Sequence, residues 1–482
     1  MKSMGKSKFS NLIYRTLSIL LALSLGLLTA PVTALADTDY AALAQERKEL
    51  PIQSNSIAQW PHGPEITAQA AIVMDAATGT ILYSKNIHEE LFPASTTKIM
   101  TCLLAVENAS LSDTITFSND AVFSVPQGGS NIGMDVGQSI TLEQALYGIM
   151  VGSANEVANA VAEHVSGSID AFVDLMNERA KELGCTNTHF SNTNGLQADD
   201  HYTSAYDLAL IAKAFFDNEL LCKVGNTARY HFTATANQPD DFYLNNKHKL
   251  ISGEIPYEGI LGGKTGYTDL ARETLVTCAE KDGLKLVCVV FMEESPSQFT
   301  DTVTLFDYAF NNFHSVNVSD NDTRYMPDDS LFFESERDVF KRSGTILKLG
   351  EDDSIILPKT SDINSTKYEI TYDLTADEKS QMPTAIAKVN YTFSGVPIGC
   401  AYVFYNALSS QELLDNTVKD TTIYINVKIL LLAAVGLLIV ISLLGTSITR
   451  LLSNKKHSSR SDRIRFNRRK REFRKSRRSH KF

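Results

Sequence analysis

Cysteine is sparse and unpatterned in this sequence. Six occur in 482 residues, at Cys102, Cys185, Cys222, Cys278, Cys288 and Cys400, with no Cys-x-x-Cys pair and no metal-ligand spacing. This sets aside zinc-binding and thioredoxin-type motifs, and nothing marks a cysteine nucleophile. Cys278 and Cys288 flank a turn at Asp282-Gly283, where either a disulfide or two buried free thiols fits. Internal repeats are also missing, which excludes stacked-repeat architectures. Acidic residues are absent from the first 36 positions, and charge of any sign is absent from Ile429 to Ile448.

Those last two absences carry topology. Lys2, Lys6, Lys8 and Arg15 precede an apolar run from Leu17 to Leu28, followed by Ala34-Leu35-Ala36, a small-x-small cleavage pattern. Residues 1–36 are therefore expected to be a signal peptide, the alternative being an uncleaved anchor. At about 1.5 Å per residue, the uncharged run at 429–448 covers about 30 Å, a bilayer core, and is expected to be one C-terminal transmembrane helix rather than a buried core helix.

From Arg450 onward the tail carries 15 Lys and Arg against Asp462 and Glu472. The positive-inside rule puts this basic tail (449–482) in the cytoplasm and the body outside, as a single-pass protein of the cell membrane. The tail is also suited to anionic lipid. The net charge of -11 hides +4 in the first 36 residues and +13 in the tail, so the body carries -28. An acidic body argues against nucleic acid as a substrate.

Roughly 390 residues between signal and span exceed one ordinary core. Residues 37–65 read as a lead-in, 66–314 as a domain of a few strands among many helices, and 315–329 as a polar linker. Short strand patterns then fill 330–408 as a small all-β domain, and 409–428 is a stalk. Ala70–Met74 and Thr80–Tyr83 flank Ala77-Thr78-Gly79 as a hairpin. A helix starts near Ser95, after Pro93, with Ile99, Leu103 and Val106 on one face. The mixture predicts an α/β (α+β) catalytic domain with a central antiparallel sheet and a helical subdomain.

Three short motifs stand in fixed order in that domain: Ser95-Thr96-Thr97-Lys98, Ser153-Ala154-Asn155 and Lys264-Thr265-Gly266. Ser95 and Lys98, three apart on a helix, share a face. A serine hydroxyl needs a neighbouring base, and a neutral lysine serves if its pKa falls from ~10.4 to about 7, worth ~4 kcal/mol. Partial burial and the charge of Lys264 both push that way. The helix start at Ser95 offers a backbone N–H to an oxyanion, and Tyr267 a second.

Ser153, at a joint between helices, can relay a proton between Lys98 and a leaving amine. The Asn155 amide can bond both Lys98 and a substrate peptide group. Lys264 and Thr265 on a strand suit a carboxylate, and Gly266 permits close approach to the strand edge. Ser-x-x-Lys also occurs at Ser3 and Ser453, but in the signal and the tail. Ser-x-Asn recurs at Ser315 and Ser319, but in the expected linker.

Together the motifs resemble those of the D-alanyl-D-alanine carboxypeptidases, the low-molecular-mass penicillin-binding proteins of the serine SxxK acyl-transferase group. The likeness extends to Ala71–Asp75 with Gly79–Tyr83, to Phe92–Thr101, to Asn187–Phe190 with Gly195-Leu196, to Ser204-Ala205 with Asp207, and to Gly262–Thr268. It implies a penicillin-binding/β-lactamase-like fold and removal of the terminal D-alanine from peptidoglycan stem pentapeptides through a Ser95 acyl-enzyme. Lys98 would be the base, assisted by Ser153 and Asn155, with Lys264, Thr265 and Gly266 binding substrate. β-Lactams would acylate Ser95, and no metal or cofactor is implied.

Two departures from the family pattern are Ala154, where glycine is usual, and the full span in place of an amphipathic surface helix. A β-lactamase is disfavoured because no Glu-x-x-Leu-Asn element lies between Asn155 and Lys264. A transpeptidase or endopeptidase with the same site, or a β-lactam-binding receptor, remains as the alternative.

Overall fold

Ala70–Asp75 is six consecutive buried residues ending at a tight Ala77-Thr78-Gly79 turn, so it forms a strand buried on both faces rather than a surface strand. The computed structural model describes residues 39–322, 324 and 347–405. The expected signal, stalk, span and tail lie outside these residues, as do residues 325–346 of the expected linker and β domain. No helix among the described residues is long and apolar enough to cross a membrane.

Fifteen strands occur among the described residues: β1 (Ala70–Asp75), β2 (Ile81–Lys85), β3 (Thr114–Thr116), β4 (Ser139–Thr141), β5 (Arg229–Phe232), β6 (Phe242–Asn245), β7 (Ile260–Thr268), β8 (Arg272–Lys281), β9 (Leu284–Glu293), β10 (Phe313–Asn317), β11 (Leu347–Leu349), β12 (Ser354–Pro358), β13 (Lys367–Thr371), β14 (Ala385–Phe393) and β15 (Val396–Tyr405). The central sheet is antiparallel, ordered β2-β1-β9-β8-β7, which leaves β7 on an edge. Two of its hairpins, β1–β2 and β8–β9, turn where glycine takes positive φ, at Gly79 and Gly283.

Side-chain alternation splits the sheet into two faces. Ile72, Met74, Val276, Val287 and Val289 face the helices Lys98–Asn108, Leu142–Met150, Asn155–Ser166 and Ala205–Phe216. Ala71, Val73, Leu275, Cys288 and Val290 face the helix Ser297–Asn312 through Phe299, Leu305 and Phe306. Each fully buried Val or Leu contributes about 1.5–3 kcal/mol, so these two layers fix the sheet and with it the edge strand. The same alternation explains the cysteines. Cys278 pairs with Val287, and Thr277 with Cys288, so the two thiols project to opposite faces and both are free.

A second antiparallel sheet, ordered β10-β12-β15-β14-β13 with β11 on β15, follows the helix Ser297–Asn312. Ile355, Leu357, Val389, Tyr391 and Ala401 join the core of the first sheet's far face, and the Trp60 ring lies tilted against those of Phe313 and Phe393. The expected linker is corrected at its start. Phe313–Asn317 is a strand and Val318–Asn321 a short helix. Polar Ser315 and Asn317 belong to an edge strand with four half-buried positions, which reads as a loop by composition.

Candidate active site

The nucleophile segment begins with a bend. Pro93 leads into a 3-10 turn, Ala94–Thr97, and the α-helix proper runs Lys98–Asn108. The helix therefore starts three residues later than the apolar pattern predicts. Ala94 carries a positive φ of 49°, which costs a non-glycine residue of order 1–3 kcal/mol unless its surroundings hold it. The Pro93 carbonyl accepts from the hydroxyls of Thr96 (2.7 Å) and Thr274 (2.9 Å), and the Ala94 carbonyl from Thr97 (2.9 Å).

Below the turn, apolar Ile99, Met100, Leu103 and Leu104 bury the helix. Lys98 is fully buried. Its Nζ lies 2.9 Å from Ser95 Oγ, 2.7 Å from Asn155 Oδ1 and 2.6 Å from the Asn194 carbonyl. All three partners are neutral oxygens. Burial first, and then the charge of Lys264, hold the Lys98 pKa well below that of an ordinary lysine.

Asn155 opens the helix Asn155–Ser166, and its backbone N–H donates to the Ser130 carbonyl at 2.9 Å. Ser153 precedes it at φ 58°, turning the chain between the helices Leu142–Met150 and Asn155–Ser166. The Ser153 hydroxyl accepts from Lys264 Nζ at 3.1 Å, and Lys264 also donates to the Thr265 carbonyl at 2.8 Å. Ser153 is thus bonded to Lys264, a partner that the sequence reading, which gave it a relay between Lys98 and a leaving amine, did not name. Burial and then Lys247 lower the Lys264 pKa to about 7.

Gly266, on the edge strand, touches the nucleophile turn. A β-carbon there would stand 2.9 Å from both Ser95 N and Pro93 O and 2.3 Å from Thr274 Oγ1. Tyr267 follows and is half exposed. A cleft of about 570 Å³ opens here, lined by Ser95, Ser153, Asn155, Thr265, Gly266 and Tyr267. All seven sequence-predicted residues, with Tyr267, therefore converge on one place.

Three contributors escaped the sequence reading. Asn194 acts through its carbonyl, which no residue type reveals, although Asn194-Gly195 is a turn dipeptide. Lys247 and Lys249 line the same cleft and carry no pattern of their own. No cluster of three or more His, Cys, Asp or Glu side chains suited to a metal occurs among the described residues.

The arrangement supplies a hydroxyl against a pKa-depressed amine, a cationic strand edge and a free cleft, the parts of an acyl-transfer site. Comparison with known proteins agrees. A profile of the D-alanyl-D-alanine carboxypeptidase family matches residues 57–295. The carboxypeptidase DacC of Escherichia coli is 30% identical over 317 residues, covering 62% of this chain and 74% of that protein. Penicillin-binding protein 5 of Haemophilus influenzae shares the fold, with a TM-score of 0.56 at 24% identity over 72% of this chain and 98% of that structure. The carboxypeptidase DacF of Bacillus subtilis is 34% identical over 323 residues, covering 63% of this chain and 76% of that protein, so the chain belongs to the D-alanyl-D-alanine carboxypeptidase family.

Proposed function

We infer that this chain is a serine-type D-Ala-D-Ala carboxypeptidase that removes the terminal D-alanine of peptidoglycan stem pentapeptides. The observation that carries this reading is the environment of Lys98. A neutral amine has two hydrogens and one lone pair. The Asn155 and Asn194 oxygens take the hydrogens, so the lone pair is left for the Ser95 hydroxyl 2.9 Å away. Lys98 then accepts the Ser95 proton as the hydroxyl attacks the scissile carbonyl.

An extended peptide adds naturally to an exposed sheet edge, here β7. Its terminal carboxylate meets Lys264 and Thr265, and that anion restores positive charge to Lys264. The Ser95 and Tyr267 amides are suited to hold the oxyanion. Ser153, bonded to Lys264, is suited to relay the proton that Lys98 took from Ser95 to the departing D-alanine amine, which returns Lys98 to its neutral form. Water then attacks the ester, with Lys98 again as base, and Ser95 is regenerated. A β-lactam amide enters the same cleft and acylates the same oxygen.

The uncharged stretch at 429–448 and the basic tail support a C-terminal membrane tether, with the catalytic part outside the cell and the tail apposed to anionic lipid. A reporter fused to the C-terminus that is active outside the cell would refute this topology. The catalytic reading is tested by labelling with a fluorescent penicillin. Ser95→Ala should abolish the covalent label, and a retained label would overturn the nucleophile assignment.

A further inference from the structure

The left-handed Ala94 immediately precedes the nucleophile, and a chain of hydrogen bonds leads from it into the protein. Thr97 Oγ1 donates to the Ala94 carbonyl at 2.9 Å, and the same oxygen lies 2.8 Å from His201 Nε2. On the far side of the ring, the Ser191 backbone N–H donates to His201 Nδ1 at 3.0 Å. A backbone N–H can only donate, so Nδ1 is the bare nitrogen. Burial lowers the His201 pKa to about 4, so the ring is neutral and its single hydrogen sits on Nε2, pointing at Thr97. The direction of the whole chain is thereby fixed, from Ser191 through His201 and Thr97 to Ala94.

The surroundings make this chain rigid. His201 is 2% exposed, and its ring lies 5.6 Å from that of Phe190. Leu91 and Thr203 exchange backbone hydrogen bonds of 2.8 and 2.9 Å, an isolated bridge that ties the histidine loop to the segment leading into Pro93. On the other side of the Ala94 carbonyl, Gly195 (φ 84°) approaches so closely that a β-carbon there would overlap the oxygen. The carbonyl is held between glycine and threonine, and the peptide it belongs to carries the Ser95 amide.

We propose that His201 is a positioning residue for acylation: by donating to Thr97 it holds the Ala94–Ser95 peptide, and with it the attacking hydroxyl and its amide, in the reactive orientation. His201 touches no substrate and takes no proton in the reaction. Misplacement of reacting groups by about 1 Å can cost on the order of 100-fold, so the role is measurable. The proposal rests on the acyl-transfer reading of the site.

Two variants separate this role from simple support of the loop. His201→Gln can place an amide N–H where Nε2 donates but loses the acceptor for Ser191. His201→Asn keeps an acceptor near Nδ1 but loses the donor to Thr97. The rate of covalent labelling by a fluorescent penicillin, resolved into a saturating rate and a half-saturating concentration, is measured for the full-length protein and both variants, with melting temperatures alongside. The expected result is a saturating rate about tenfold or more lower for the Asn variant, with an unchanged half-saturating concentration. The Gln variant should stay within about threefold of the parent. Thr97→Val should match the Asn variant, and the Asn/Val double variant should be no slower than either. An Asn variant that labels at the parent rate, or a Gln variant as slow as Asn, overturns the proposal. Failure of the parent protein itself to label would instead overturn the acyl-transfer reading.

Discussion

Gly266 and Ser95 touch through backbone: a β-carbon on Gly266 would stand 2.9 Å from the Ser95 amide nitrogen. This contact sets the gap between the edge strand and the nucleophile, the gap in which a scissile carbonyl must lie. Thr274, the nearest atom to that hypothetical β-carbon, cannot retreat freely because its hydroxyl is bonded to the Pro93 carbonyl.

Gly266→Ala should therefore push β7 and the nucleophile turn apart. The expected stability loss is about 1–3 kcal/mol. Acylation should fall by about tenfold or more, since the reacting groups separate. Parent-like penicillin labelling by a folded Gly266→Ala protein would show that the contact does not govern the gap.

The pH dependence follows from two lysines with opposite requirements. Lys98 must be neutral to accept a proton, so activity rises as pH passes upward through its depressed pKa. Lys264 must be charged to bind a carboxylate, so kcat/KM falls as pH rises through about 7. A bound carboxylate favours charged Lys264, so the alkaline limb of kcat should lie at higher pH than that of kcat/KM. A kcat/KM that keeps rising past pH 9 would contradict the role of Lys264.

Asn155→Asp offers a sharper test of Lys98. The substitution is isosteric and puts an anion where Oδ1 now stands 2.7 Å from Nζ. An adjacent carboxylate favours the charged amine, so the acid limb should move to higher pH and acylation near neutrality should drop. Rates should recover partly in alkaline solution. An unshifted acid limb would remove Lys98 from the role of base.

How much of this was legible in the sequence follows from the kind of information each feature carries. The motifs were readable because Ser95, Lys98, Lys264 and Gly266 act through residue types that chemistry demands at those spacings. The hairpins were readable from their turn residues, Thr78-Gly79 and Asp282-Gly283. The third partner of Lys98 was not, because the Asn194 carbonyl is an atom every residue has. The bond between Ser153 and Lys264 was not legible either, because it depends on a positive φ at Ser153 that no pattern encodes. The strand Phe313–Asn317 was hidden because a half-buried edge strand has the composition of a linker.

Acid should destabilise the fold through its buried histidines. His201 has a pKa lowered to about 4 and His248 to about 3, both mainly by burial. Above the unfolded value of about 6.5 both states are neutral and the contribution to stability is full. As pH falls from about 6.5 toward about 4, the unfolded chain takes up protons that the folded one refuses, and stability is lost. For His201 the loss is about 3 kcal/mol. Denaturant midpoints should fall across that window, and less steeply in His201→Gln. Buried carboxyls held above their usual range, Glu293 among them, act in the opposite sense, so the test is the difference between the two proteins. Equal pH slopes for the parent and His201→Gln would show that His201 is not held neutral.

The central claim is that Ser95, activated by Lys98, forms an acyl-enzyme with a stem peptide and releases D-alanine. The most direct measurement is free D-alanine produced from a pentapeptide ending in D-Ala-D-Ala by the full-length protein, by Ser95→Ala and by Lys98→Ala. Stoichiometric release that recurs over many turnovers with the parent protein, and none with either variant, is the predicted result. Turnover by Ser95→Ala, or a parent protein that binds penicillin covalently yet frees no D-alanine, would contradict it.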